Sequence, residues 1–203
     1  MGNLSNFNSI VFFDTETVCI PSWYATDCLL SLSMIKDYST GKTERKDFKF
    51  KMSGMKINHV NPSALEVNGY TEKAWEDAVS FKEAAQEIAE FIHDCPLVAH
   101  NIDFDLRHLR NAFLENGWRQ LDSWSKNMKS EHEDKRYSLG KPFICTQALS
   151  FMHLPMQRQS LNEARKYLEI PQDRAHSADT DTEDCRSLFY YIVGKSSILS
   201  ECI

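Results

Sequence analysis

No apolar run in the 203 residues approaches the roughly 18 needed to cross a bilayer, so a membrane span is not expected. The opening MGNLSNFNSI lacks a basic segment followed by a long apolar stretch, and no secretion signal is expected either. The six cysteines (Cys19, Cys28, Cys95, Cys145, Cys185, Cys202) contain no CxxC pair and no zinc-ligand spacing. Several sit inside apolar runs, where a thiol serves as a small buried hydrophobe, and a reducing cytoplasmic location is the simpler reading. Positive charge is outnumbered, 23 Lys and Arg against 29 Asp and Glu. A formal net charge of −6 argues against a broad basic surface that grips duplex nucleic acid. No internal repeat or domain boundary is visible, and the length suits one domain over residues 1–203.

What is present is the ordinary composition of a globular protein, with 42% hydrophobic and 26% charged residues, enough to bury a substantial core. Ser9–Phe13 reads as a short buried strand. Leu29–Asp37 and Lys46–Met52 read as two more, with Phe48, Phe50 and Met52 alternating onto one face and Gly41 supplying a hairpin turn between them. A short helical piece over Ser63–Val67 precedes the turn pair Asn68-Gly69. From Ser80 the period changes: Ser80 caps, Glu83 follows three residues on, and Ala84, Ala85, Ile88, Ala89, Phe91 and Ile92 form an apolar helix face. Residues 96–100 read as a buried strand and Phe104–Glu115 as a helix stopped by Asn116-Gly117. Residues 122–141 are polar and densely charged and read as a surface insertion. A strand over Pro142–Cys145 and helices over Thr146–His153, Ser160–Leu168 and Asp181–Ile192 complete the chain. This order implies an α/β fold, a mixed β-sheet flanked by α-helices.

Four acidic residues stand out against that background. Asp14 and Glu16 follow the first apolar run two residues apart, so on a strand both point to one face. Asp105 opens a helix that follows a buried strand. Asp181 sits in the first turn of the last helix, where the helix dipole favours a negative charge, and His176 lies five residues before it. Carboxylates placed at the ends of apolar runs need a positive partner, and four converging ones repel strongly unless a divalent cation neutralises them. Oxygen-only donors select hard ions such as magnesium or manganese. Two such ions would bring the formal charge from −6 to about −2, so acidity does not exclude a phosphate-bearing substrate. Taken singly, an Asp-x-Glu is most often a solvated strand end, and His100, His108 and His153 read as structural histidines.

The segments FFDTET, HNIDFDLRHL and HSADTDTED resemble the three motifs of the DEDDh family, the RNase H-like 3′→5′ exonucleases that include polymerase proofreading subunits and RNase T. Asn61–Thr71, Cys145–Leu149 and Ser160–Glu163 resemble further stretches of that family, and the likeness covers about residues 9–193. It implies an RNase H-like sheet and a single exonuclease domain carrying the 122–141 insertion. It also implies two divalent cations, Mg²⁺ with Mn²⁺ as a substitute, held by Asp14, Glu16, Asp105 and Asp181. Asp14 would bridge the ions, Glu16 and Asp181 would complete one, and Asp105 would serve the other. His176 would act as general base. Thr15, Thr17, Asn101 and Phe104 would contact the terminal nucleotide, although Phe104 equally suits core packing. Asp179 adds a second acidic residue to the third motif and stands as an alternative to Asp181. Asn68 occupies a position where many relatives have histidine.

The implied partner is a nucleic-acid 3′ end, in single-stranded DNA or RNA. A hydrolase restricted to short oligonucleotides and a nucleic-acid-binding or replication-accessory subunit are the alternatives. A homodimer and a polymerase or repair assembly both stay open. In the insertion, Lys126, Lys129, Lys135, Arg136 and Lys141 could meet a phosphate backbone. With Glu131, Glu133 and Asp134 interleaved, a solvated loop is an equal reading.

Overall fold

The computed structural model describes residues 7–18, 29–52, 60–120, 135–139, 142–171 and 177–200; at 135, 136 and 195–200 it describes the backbone path alone. Five strands form one mixed sheet in the order β3-β2-β1-β4-β7: β1 Ser9–Thr17, β2 Leu29–Tyr38, β3 Thr43–Lys49, β4 Leu97–Ala99 and β7 Phe143–Cys145. β1 pairs antiparallel with β2 and parallel with β4, and β7 continues the parallel half. The β2–β3 hairpin turns at Gly41, whose φ of +86° is the left-handed conformation that glycine adopts without steric cost.

Alternation along β1 divides the molecule. Val11 and Phe13 face α2 (Phe81–Ile92) and α3 (Ile102–Glu115) in the larger core, with Leu32, Met34, Ile88, Leu97 and Leu109. Phe12 faces the other way and packs with Ile35, Val98, Cys185 and Phe189 beneath α6 (Ala178–Ser200). Helix α2 carries the expected apolar face and the expected capping box: Ser80 and Glu83 satisfy each other's backbone N–H groups, a device worth about 1 kcal/mol. Among the described residues no helix is long and apolar enough to cross a membrane.

Several element limits differ from the sequence reading. β1 runs four residues past Phe13, because its pairing with β2 continues through Asp14↔Ser33 and Glu16↔Ser31 before a bulge at Thr17. β3 spans Thr43–Lys49, not Lys46–Met52; Phe50 makes only an isolated bridge, to Val79. α3 begins at Ile102 and α6 at Ala178, each earlier than expected. The largest correction concerns the 122–141 insertion. Residues 121–134, 140 and 141 lie outside the described residues, but Lys135–Tyr137 form β6, a strand parallel to β5 (Trp118–Gln120). Tyr137 stacks on Phe113 at 4.0 Å between ring centroids, and Leu139 joins the same core. The charged neighbours hid this pairing, since a parallel partner 17 residues away leaves no local period to read.

Candidate metal centre and active site

Because Phe12, Asp14 and Glu16 share one face of β1, the two carboxylates prolong the row that starts beneath α6 and emerge beside the N-terminus of that helix. The register of α6 is held by Asp37 on β2, which accepts hydrogen bonds from Arg186 Nε (2.7 Å), Tyr190 Oη (2.8 Å) and Thr43 Oγ1 (2.8 Å). Burial alone would raise the Asp37 carboxyl; these three donors more than reverse that and pull it below the usual range. With the helix pinned there, Asp181 in its first turn falls next to β1. One carboxylate oxygen from each of Asp14, Glu16 and Asp181 lies within 4.8 Å of the others.

Asp105 approaches from the opposite layer. β4 ends at Ala99, and Asn101 takes up the left-handed conformation (φ 65°, ψ 52°), turning the chain into α3 within two residues. Asparagine tolerates that conformation better than most residues. The turn brings Asp105, 2% exposed, against β1, where its Oδ1 accepts from the Thr15 N–H at 2.9 Å and the Thr15 hydroxyl at 2.7 Å. Thr15 alternates onto the α3 side of β1, so one strand end carries Asp14 and Glu16 on one face and grips Asp105 with the other. Thr15→Val removes the hydroxyl while keeping the shape. It is expected to cost about 1–3 kcal/mol, the scale of a hydrogen bond to a charged group, read as the shift in urea midpoint.

The electrostatics describe a site short of positive charge. Burial, then the neighbouring Asp105, Glu16 and Asp181 carboxylates, push Asp14 well above the usual range. Burial and the Asp181 and Asp105 charges raise Glu16 to about 7. Burial raises Asp105 to about 7 even though the Thr15 hydrogen bonds oppose it. Groups this crowded, all with oxygen donors, fit a hard divalent cation. Asp179 does not join them: it hydrogen-bonds within its own turn to Ser177 and Thr180, which hold its carboxyl below the usual range against the opposing effect of burial. Asp181 is the acidic residue of the third motif that meets Asp14 and Glu16.

Asn101 is exposed and Phe104 half-buried, its ring 4.5 Å from that of His108. Thr17 is half-buried, and its carbonyl accepts from Asn68 Nδ2 at 3.2 Å, which ties helix α1 (Pro62–Val67) to the end of β1. The N–H and hydroxyl of Thr15 both go to Asp105. His100 is structural: its ring nitrogens meet Thr146 Oγ1 at 3.0 Å and the Gln159 carbonyl at 2.9 Å, and burial lowers its pKa. His176, with residues 172–175, lies outside the described residues. Arg165 on α5 (Leu161–Tyr167) is 1% exposed and donates to Asp181 and Asp184, a placement the sequence does not signal. Its spacing marks it only as one more residue of an amphipathic helix.

The exonuclease family RNase_T matches residues 11–189, which contain every acidic residue of this cluster. The chain belongs to that family. Its members are the DEDDh-type 3′→5′ exonucleases that the three motifs resemble. A PolC-type DNA polymerase III of Mycoplasma genitalium is 26% identical over 188 residues, covering 90% of this chain and 11% of that polymerase. The 3′-5′ exonuclease DinG of Staphylococcus aureus is 39% identical over 56 residues, 28% of this chain and 6% of DinG. The chain thus spans about a tenth or less of the curated relatives it matches. Among solved structures, E. coli exonuclease I in complex with a dT13 oligonucleotide superposes with a TM-score of 0.67 at 16% identity, covering 96% of this chain and 43% of that one. Cell-death related nuclease 4 gives 0.65 at 12% identity, covering 93% and 64%. These likenesses establish the RNase H-like exonuclease fold. The sheet and helices described above are its arrangement in this chain.

Proposed function

We propose that the protein is a metal-dependent 3′→5′ exonuclease that removes nucleoside 5′-monophosphates from the ends of DNA or RNA strands. The observation that carries this reading is the convergence of Asp14, Glu16 and Asp181 within 4.8 Å, with Asp105 secured behind them by Thr15. Asp14, Glu16 and Asp181 would hold one divalent ion, and Asp105 with Asp14 a second. When bound, such ions supply charge stabilisation at the attacking and leaving oxygens of a phosphodiester. The chain's own part is to orient the 3′ end and to move one proton. His176, ahead of α6 in the third motif, takes that proton from the attacking water; an imidazole titrates in the range this requires. Asn101, Phe104 and Thr17 would hold the terminal nucleotide. Residues 9–193 would form this one catalytic domain.

The test is a time course with purified protein, Mg²⁺ or Mn²⁺, and matched DNA and RNA oligonucleotides labelled at the 5′ end, with EDTA as control. The expected product is a ladder shortening from the 3′ end, absent in EDTA, and the faster set names the preferred sugar. His176→Ala should slow the reaction roughly 10²–10⁴-fold, the scale of a general base. Full activity in that variant removes His176 from the mechanism. Intact oligonucleotides, together with manganese binding by a folded protein, would instead favour a nucleic-acid-binding role.

A further inference from the structure

An arginine removed from water needs a compensating charge and acceptors for its nitrogens, because an uncompensated buried charge costs several kcal/mol. Arg165 meets that demand with three different acceptors. Its Nε donates to Asp184 Oδ2 at 2.6 Å, its Nη1 to Asn162 Oδ1 at 2.6 Å, and its Nη2 to Asp181 Oδ1. Asp181 and Asp184 are three residues apart on α6 and therefore share a face, so one planar guanidinium spans two carboxylates of the same helix. Asp184 is itself buried, 7% exposed. Its charge cancels that of Arg165, so the pair adds no net charge beside the acidic cluster. What it contributes is direction: a guanidinium held by Asp184 and Asn162 anchors one oxygen of the Asp181 carboxylate. Asp181 Oδ1 accepts from Arg165, and the same carboxylate offers an oxygen within 4.8 Å of those of Asp14 and Glu16.

We propose that Arg165, braced by Asp184 and Asn162, is a positioning residue that presets the metal ligand Asp181 in its coordinating orientation before any cation arrives. This rests on the metal-site reading given above. The guanidinium fork is the necessary feature, since a lysine offers a point charge with no fixed plane to span both carboxylates. Partners that orient metal ligands from behind are typically worth 10–100-fold in metal affinity.

The experiment is isothermal titration with MnCl₂, without substrate, on wild type, the double variant Arg165→Met/Asp184→Leu, Arg165→Lys and Asp14→Asn. The double variant exchanges a buried ion pair for apolar side chains, a change that usually preserves folding, and it leaves the net charge unchanged. It is expected to bind Mn²⁺ about 10–100-fold more weakly than wild type while circular dichroism shows an intact fold. Arg165→Lys, which keeps the charge and loses the fork, is expected to weaken binding as well, and it carries the test should the double variant not fold. Wild-type affinity in a folded double variant, or full rescue by lysine, overturns the positioning role. A wild-type protein that binds no Mn²⁺, or binds it no better than Asp14→Asn does, overturns the metal-site reading instead.

Discussion

Asp14→Asn is expected to abolish turnover, by roughly 10⁴-fold or more, without weakening the fold. The two halves of this expectation have the same cause. Asp14 is the residue on which burial and three neighbouring carboxylates act together, and its side chain shares an oxygen cluster with Glu16 and Asp181. Once a cation is bound, that crowding becomes coordination. With the cation absent, it is repulsion, and a neutral amide of the same shape relieves it. Metal-free Asp14→Asn should therefore melt no lower than wild type at pH 8, although it cleaves nothing detectable. Residues that act as one unit also fail together, so Asp14→Asn/Asp181→Asn should lose about as much activity as either single variant. Single-turnover rates and melting curves in EDTA check both halves. Activity within tenfold of wild type, or a clearly lowered melting temperature, would contradict this account of Asp14.

The second large effect is a dependence of stability on pH that divalent metal reverses. In the metal-free protein Glu16 is raised from 4.5 to about 7 and Asp105 from 3.8 to about 7. Through that window the folded chain holds protons that the unfolded chain has released. A state that binds more protons loses ground as pH rises, so folding stability falls from about pH 4 to pH 7 and stays low above it. For the buried Asp105 this shift corresponds to about 4 kcal/mol, and for Glu16, which water partly screens, to less. Asp37 works in the opposite direction but elsewhere on the scale. Its lowered carboxyl contributes stability above pH 3.8 and loses it only at lower pH. The melting temperature in EDTA is thus expected to fall between pH 5 and pH 8. Excess Mg²⁺ or Mn²⁺ should restore it at pH 8 and change it little at pH 5, where protons already occupy the ligands. A melting temperature in EDTA that is flat between pH 5 and pH 8 would mean that the carboxylates are not crowded as described.

Much of this site was legible in the chain because its signals are local. The two-residue spacing of Asp14 and Glu16 predicts a shared face on any strand, and the structure places them there. Ser80 and Glu83 announce the start of α2, Gly41 the β2–β3 turn, and Asn116-Gly117 the end of α3, with Gly117 at φ +78°. Asp181 follows the start of α6 closely enough for the helix dipole to favour it.

Other features needed the tertiary structure, for one physical reason. Spacing along a chain reports which residues share a face of one element, and says nothing of which distant element that face will meet. Thr15 looks like a connector between two acidic residues; only the packing of α3 against the reverse of β1 makes it the anchor of Asp105, 90 residues away. Lys135–Tyr137 is a charged stretch until β5 supplies a parallel partner and Phe113 a ring to stack on. Asp179 and Asp181 are near neighbours in one motif, and the register imposed on α6 by Asp37 decides which of them meets β1. Arg165 is the clearest case. The amino-acid sequence by itself determined the order of the chemistry-bearing residues, four carboxylates with a histidine. The packing of α5 against α6 decided that a buried guanidinium would stand behind one of them, because contacts made across layers leave no period in the chain.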